Sequence, residues 1–124
     1  MKLPLIAIVE DDQFVRTATA SLIRSIGLGT ESFASAEAFL QEDLSRFACV
    51  ISDVQMPGLS GLDLLRIAGE RCAGLPVILM TAFPDPRIER RAMAGGARYF
   101  LEKPCDPETV VSSLEAVIRS RGAG

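Results

Sequence analysis

The sequence predicts an α/β fold: a doubly wound parallel sheet with helices on both faces. Three observations lead there. Five short candidate strands, most of them apolar runs, alternate with five stretches of helical spacing, the pattern of repeated βα units. The first run, LPLIAIV, is apolar throughout, as a strand covered on both faces is. Polar groups then stand at the carboxyl ends of the runs: Glu10, Asp11 and Asp12 after the first, Asp53 after the third, Thr81 at the end of the fourth and Lys103 after the fifth. Ligands of open α/β sheets collect at those ends, near the point where strand order reverses.

Taken in order, Leu3 to Val9 is the first strand. From Gln13 to Ile26, Phe14, Val15, Ala18, Leu22, Ile23 and Ile26 recur with helical spacing, and Gly27 ends the helix in a left-handed conformation. Thr30 to Phe33 is a short second strand. A second helix opens at Ala34 or Ser35, has Glu37 near its start and is expected to bury Ala38, Phe39 and Leu44. The central strand runs from Ala48 to Ser52, followed by a loop from Asp53 to Leu59 with a Pro-Gly turn at Pro57 and Gly58. An acid at Asp53 stands where a buried strand gives way to a loop, so its side chain can face solvent while its backbone stays fixed.

Ser60 caps a third helix running to Arg71, with Leu62, Leu65, Ile67 and Ala68 on its apolar stripe, and Gly74 breaks it. Pro76 to Thr81 is the fourth strand. Pro84 and Pro86 confine the start of the next helix, whose inward candidates are Ile88, Ala92 and Met93, and Gly95 and Gly96 stop it. Tyr99 to Leu101 is the fifth strand and Lys103-Pro104 turns the chain. Pro107 starts a last helix through Val110, Val111, Leu114, Val117 and Ile118.

At 124 residues, read as one domain over 1–124, the chain is long enough to bury roughly two-thirds of the surface it exposes unfolded. Hydrophobic residues make up 48% and charged residues 23%, which is ordinary for a globular protein and argues against disorder. A formal charge of -3 without any run of Lys and Arg gives no reason to expect direct nucleic-acid binding. Three cysteines, Cys49, Cys72 and Cys105, lack metal-ligand spacing, and there is no histidine. That removes the usual zinc sites, Ser-His-Asp and Cys-His mechanisms and a disulfide framework. The first apolar run is too short for a signal peptide or a membrane span, so a cytoplasmic location is expected.

Glu10, Asp11 and Asp53, if they converge, would repel one another without a cation between them. Carboxylate oxygens with no His or Cys favour Mg²⁺, or Mn²⁺. Such an ion would neutralise the carboxylates and draw charge from a phosphoryl group arriving at Asp53, an acid placed to act as nucleophile. Lys103 offers a positive point charge to Asp53 or to a phosphoryl oxygen, Thr81 a hydroxyl donor, and Ala82 room and a backbone N–H. Each residue also has a plainer reading. Acids before a helix favour its N-terminus, a Thr ending a strand bonds local backbone, a Lys before a Pro is solvated, and Asp53 shapes a turn. Their joint placement at the same ends of successive strands favours one pocket.

Together IVEDD at 8–12, SDVQMPGLSGLDLL at 52–65, PVILMTA at 76–82 and AGGARYFLEKP at 94–104 resemble the response-regulator receiver domains of bacterial two-component signalling, from Leu5 to Arg119. The wording is most similar to receivers of the branch with helix-turn-helix output domains. The resemblance implies a flavodoxin-like five-stranded sheet of order 2-1-3-4-5 with five helices. It implies that Asp53 receives a phosphoryl group from a sensor histidine kinase or a histidine phosphotransfer protein. Glu10, Asp11, Asp53 and the backbone carbonyl of Gln55 would hold Mg²⁺, and Thr81, Ala82 and Lys103 the phosphoryl oxygens. Thr81 and Phe100 would be switch residues altering the face of the fourth helix, fifth strand and fifth helix, where a downstream protein or a second copy would bind.

The resemblance further implies a cis peptide between Lys103 and Pro104. Tyr99, beside Phe100, faces the other way. Two departures stand out: Cys105 where an aromatic is common, and the two prolines of FPDP at 83–86 where the fourth helix begins.

The leading expectation is therefore a phosphorylation-driven switch that catalyses only its own phosphoryl transfer and dephosphorylation. The alternative is a constitutive protein-binding module of the same fold. A metal-dependent phosphatase or a flavin-binding redox domain is weaker, because no second catalytic set and no glycine-rich loop after the first strand are visible. Ending at Gly124 after the last helix, the chain is expected to be either a receiver alone or a fragment lacking its output domain.

Overall fold

Each strand of the sheet divides two layers of side chains, and the alternation along it decides which helices cover which face. A computed structural model describes the backbone of residues 3–123 and the side chains of residues 3–120; residues 1, 2 and 124 of the expected single domain lie outside it. The strands are β1 (Leu5–Val9), β2 (Gly29–Phe33), β3 (Cys49–Asp53), β4 (Val77–Thr81) and β5 (Tyr99–Glu102). They pair in parallel in the order β2-β1-β3-β4-β5, as expected. The helices are α1 (Gln13–Ser25), α2 (Ala36–Leu40), α3 (Gly61–Arg71), α4 (Pro86–Ala94) and α5 (Pro107–Ala123), with a single 3₁₀ turn at Leu44–Arg46.

On one face Ile6, Ile8, Ile51, Ile78 and Met80 pack with Ala20 and Ile23 of α1 and Val110, Leu114 and Val117 of α5. On the other, Ala7, Val9, Val50, Val77 and Leu79 pack with Phe39 of α2, Leu64 and Leu65 of α3 and Ala92 of α4. Period-two alternation thus sends neighbouring residues to opposite layers. Both layers are apolar, which is why β1, β3 and β4 read as largely hydrophobic runs, whereas the edge strand β2 is polar. Among the described residues no helix is long and apolar enough to cross a membrane.

The element boundaries differ from expectation for local reasons. β1 begins at Leu5 because its partner β2 begins at Gly29, opposite it, and Leu3 is left exposed. α1 turns Phe14 and Ala18 outward, with Phe14 88% exposed. The inward line passes through Ala20 and Ile23, and at about 100° per residue Phe14 lies well off it. The same rotation leaves Ala38 and Met93 exposed beside the buried Phe39 and Ala92. Leu44 is buried, but on the 3₁₀ turn beyond α2, which ends at Leu40. In α3, Leu64 is fully buried while Leu62 and Ile67 are half-buried. Pro86 occupies the first turn of α4, with Asp85 as its cap accepting from the N–H of Arg87 at 2.8 Å.

Candidate functional site

β3 continues one residue past its expected end, since Asp53 still pairs with Met80 of β4. The acid is therefore presented by a strand and is only 6% exposed, so it faces a sheltered recess where open solvent was expected. The start of α3 closes against it: a Cβ at Gly61 would overlap the Asp53 carbonyl oxygen, so only glycine lets the helix come this near. Ser60 caps α3 as expected, and Asp63 reciprocates in a capping box, its carboxylate accepting from the Ser60 N–H at 2.9 Å.

The three acids after β1 divide their work. Asp12 caps α1, accepting from the N–H groups of Phe14 at 2.9 Å and Val15 at 3.2 Å. Glu10 and Asp11 instead join Asp53, each with a carboxylate oxygen within 4.8 Å of the others. Glu10 is fully buried and Asp11 exposed. Arg16 steadies this strand end by donating to the Glu10 carbonyl oxygen at 2.7 Å.

Lys103 reaches the cluster from the end of β5, where the Lys103-Pro104 peptide is cis. Its Nζ lies 2.6 Å from Glu10 Oε1 and 3.3 Å from Asp53 Oδ2. Glu10 is thus its nearer partner, where the sequence pointed to Asp53. Burial pushes the Glu10 carboxyl above its ordinary value; the hydrogen bond from Lys103 opposes this and the charge of Asp53 adds to it. Burial works to lower the Lys103 amine, but its bond to Glu10 and the charges of Asp53 and Glu10 outweigh that and hold it above its ordinary value.

Three carboxylates against one ammonium leave two negative charges unbalanced, the charge of one Mg²⁺. The donors are hard oxygens, one is exposed and can meet a hydrated ion, and no His or Cys joins them, so the residues fit Mg²⁺ or Mn²⁺.

Thr81, at the end of β4, is fully buried and its hydroxyl is engaged twice. It donates to the side-chain carbonyl oxygen of Gln55 at 2.8 Å and accepts from the N–H of Phe83 at 2.9 Å. The Gln55 side chain, overlooked at the sequence level, is therefore the present partner of the hydroxyl. Ala82 follows, exposed, on the edge of an apolar cavity of ≈ 460 Å³ between α1 and α5 that Lys103 and Cys105 also line. Burial, foremost, pushes the Cys105 thiol above its ordinary value. Phe100 is half-buried against the α2–α4 layer and Tyr99 against the α1–α5 layer, so the two do face opposite ways.

Known proteins similar to this chain in sequence and in fold fall in one family. Residues 6–115 match the family model described as response regulator receiver domain. The chain is 40% identical over 111 residues to the transcriptional regulatory protein FixJ of Azorhizobium caulinodans, covering 88% of this chain and 52% of that protein. It is 38% identical over 117 residues to the response regulator protein TodT of Pseudomonas putida, covering 93% and 51%. The chain thus spans about half the length of the curated relatives it matches. Its backbone superposes on a response regulator receiver domain protein from Clostridium thermocellum with a TM-score of 0.91, covering 98% of both chains at 24% identity, a likeness of fold.

Proposed function

The chain belongs to the response regulator receiver domain family, and from that premise we propose that it is a phosphoryl-accepting switch with Asp53 as the acceptor. The family makes it a signalling domain rather than a turnover enzyme. The single observation that carries them is Lys103 Nζ set between Glu10 and Asp53 in a cluster of three carboxylates at the carboxyl rim of the sheet.

The donor is a phosphohistidine on a sensor histidine kinase or a histidine phosphotransfer protein. An Asp53 carboxylate oxygen attacks phosphorus in line, the P–N bond breaks as the P–O bond forms, and the imidazole leaves. Glu10, Asp11, Asp53 and the backbone carbonyl of Gln55 would hold Mg²⁺, which when bound supplies charge neutralisation for the transfer. Lys103 exchanges a carboxylate oxygen for a phosphoryl oxygen, a move suited to a compact ammonium on a flexible stem. The Ala82 N–H and the Thr81 hydroxyl meet the remaining oxygens, and to do so Thr81 gives up Gln55. Its shift opens space for Phe100 to turn inward, which changes the face of α4, β5 and α5 presented to a downstream protein or a second copy. The domain, taken over residues 1–124, works in the cytoplasm and touches no nucleic acid or membrane itself.

The test is Mg²⁺-dependent labelling by a small phosphodonor such as acetyl phosphate. Asp53→Asn abolishes it; full labelling of that variant would remove the assignment. The rival, a constitutive binding module, requires partner affinity to be unchanged by beryllium fluoride.

A further inference from the structure

Glu37 stands outside every assignment above. It is exposed in the first turn of α2, and its carboxylate accepts a hydrogen bond from the N–H of Leu59 at 3.2 Å, across 22 residues of sequence. Leu59 belongs to the loop at residues 54–60 that carries Gln55. The base of that loop is closed by the Val54 N–H on the Met80 carbonyl and the Gly61 N–H on the Val54 carbonyl, both at 2.9 Å. Its arch is held at one side by Gln55 on Thr81 and at the other by Leu59 on Glu37.

The arch is shaped to take that carboxylate. Gly58 adopts φ +78°, and a Cβ there would overlap Glu37 Oε2. The base behind Glu37 is firm as well. Ala36 and Phe39 are fully buried, and Arg71 of α3 donates to the Leu40 carbonyl oxygen at 2.6 Å, fixing the far end of α2. A side chain on a fixed support thus braces the loop that follows Asp53 and carries the Gln55 side chain to the Thr81 hydroxyl.

We propose that Glu37 is a positioning residue for the phosphoryl pocket: its carboxylate holds the residue 54–60 loop in place beside Asp53, with Gln55 against Thr81 in the unphosphorylated state and its backbone kept in register with the acidic cluster when Thr81 moves away. This rests on the phosphoryl-acceptor reading and extends it to a helix that touches none of the reacting groups.

The experiment compares wild type, Glu37→Ala and Glu37→Gln. Mg²⁺ affinity is measured by calorimetry, amide exchange at Leu59 by NMR, and global stability by urea. Glu37→Ala is expected to raise the Mg²⁺ Kd by about tenfold, the low end of what loss of an outer-shell partner costs a metal site. It also speeds Leu59 exchange while the urea midpoint barely moves. Glu37→Gln, whose amide oxygen still accepts from Leu59, restores both. Wild-type affinity in Glu37→Ala overturns the proposal, as does Glu37→Gln behaving like Glu37→Ala, since charge and not position would then matter. A wild-type protein that binds no Mg²⁺ overturns instead the phosphoryl-acceptor reading beneath it.

Discussion

At the amino ends of β2, β4 and β5 the chain arrives through turns containing Gly27, Gly74 and Gly96, at φ 87°, 93° and 102°. At the carboxyl ends of β1, β3, β4 and β5 it leaves through Glu10, Asp53, Thr81 and Lys103. A Cβ added at any of those three glycines meets nothing within 4 Å, so glycine is favoured there by backbone conformation and not by close packing. The opposite rim supplies packed polar and charged groups: Glu10 and Thr81 are fully buried, and Lys103 holds two acids together. The amino rim is thus marked by turn glycines and the carboxyl rim by converging charge, and with Mg²⁺ held as proposed the two rims should respond differently to the same cation.

Lys103→Met gives the largest contrast. Removing the ammonium leaves Glu10 and Asp53 facing each other in a sheltered site, and loss of one partner of a buried pair costs about 3 kcal/mol. Urea unfolding should record that loss without metal and a smaller one in Mg²⁺, where the ion takes over part of the lysine's charge. A loss independent of Mg²⁺ would break the contrast. Gly96→Ala on the other rim forces a side chain into a left-handed conformation at about 2 kcal/mol. Its cost should be equal with and without Mg²⁺, and its Mg²⁺ Kd unchanged in calorimetry.

The smallest effect is the pH dependence, and it sharpens the picture at Glu10. Protons compete with the ion for this carboxyl, so Mg²⁺ affinity falls as pH drops through its raised pKa, by up to about tenfold per pH unit. In the metal-free protein the sign reverses. A carboxyl raised on folding adds stability in full below its ordinary 4.5, and that stability is lost as pH rises through the raised value. Capping Asp63 behaves oppositely, because backbone and side-chain hydrogen bonds from Ser60 lower it and its contribution is lost only as pH falls. Urea titrations of Glu10→Gln and wild type between about pH 2 and 8 would separate the two.

Much of this contrast was legible in the chain itself. The strand order followed from the family likeness and the layers from continuous apolar runs. The convergence of Glu10, Asp11, Asp53 and Lys103 followed from polar groups standing at successive strand ends. Helix phase was less legible: Phe14, Ala38 and Met93 are apolar, yet docking of the helix on the sheet, not composition, sets which side faces in. Asp63 could have been found, since it stands three residues after the capping Ser60. Glu37 on Leu59 and Gln55 on Thr81 could not, because they join residues 22 and 26 apart through side chains that carry no local signature. For the same reason Glu10 was missed as the nearer partner of Lys103, 93 residues away.

The glycine turns carry one more implication. Gly27 is exposed, and the space around its missing side chain is open. Splicing a fluorescent reporter or new chain termini there would place the join at the rim opposite the acid cluster. The domain could then be rebuilt with a reporter while the acid cluster at the other rim is left untouched.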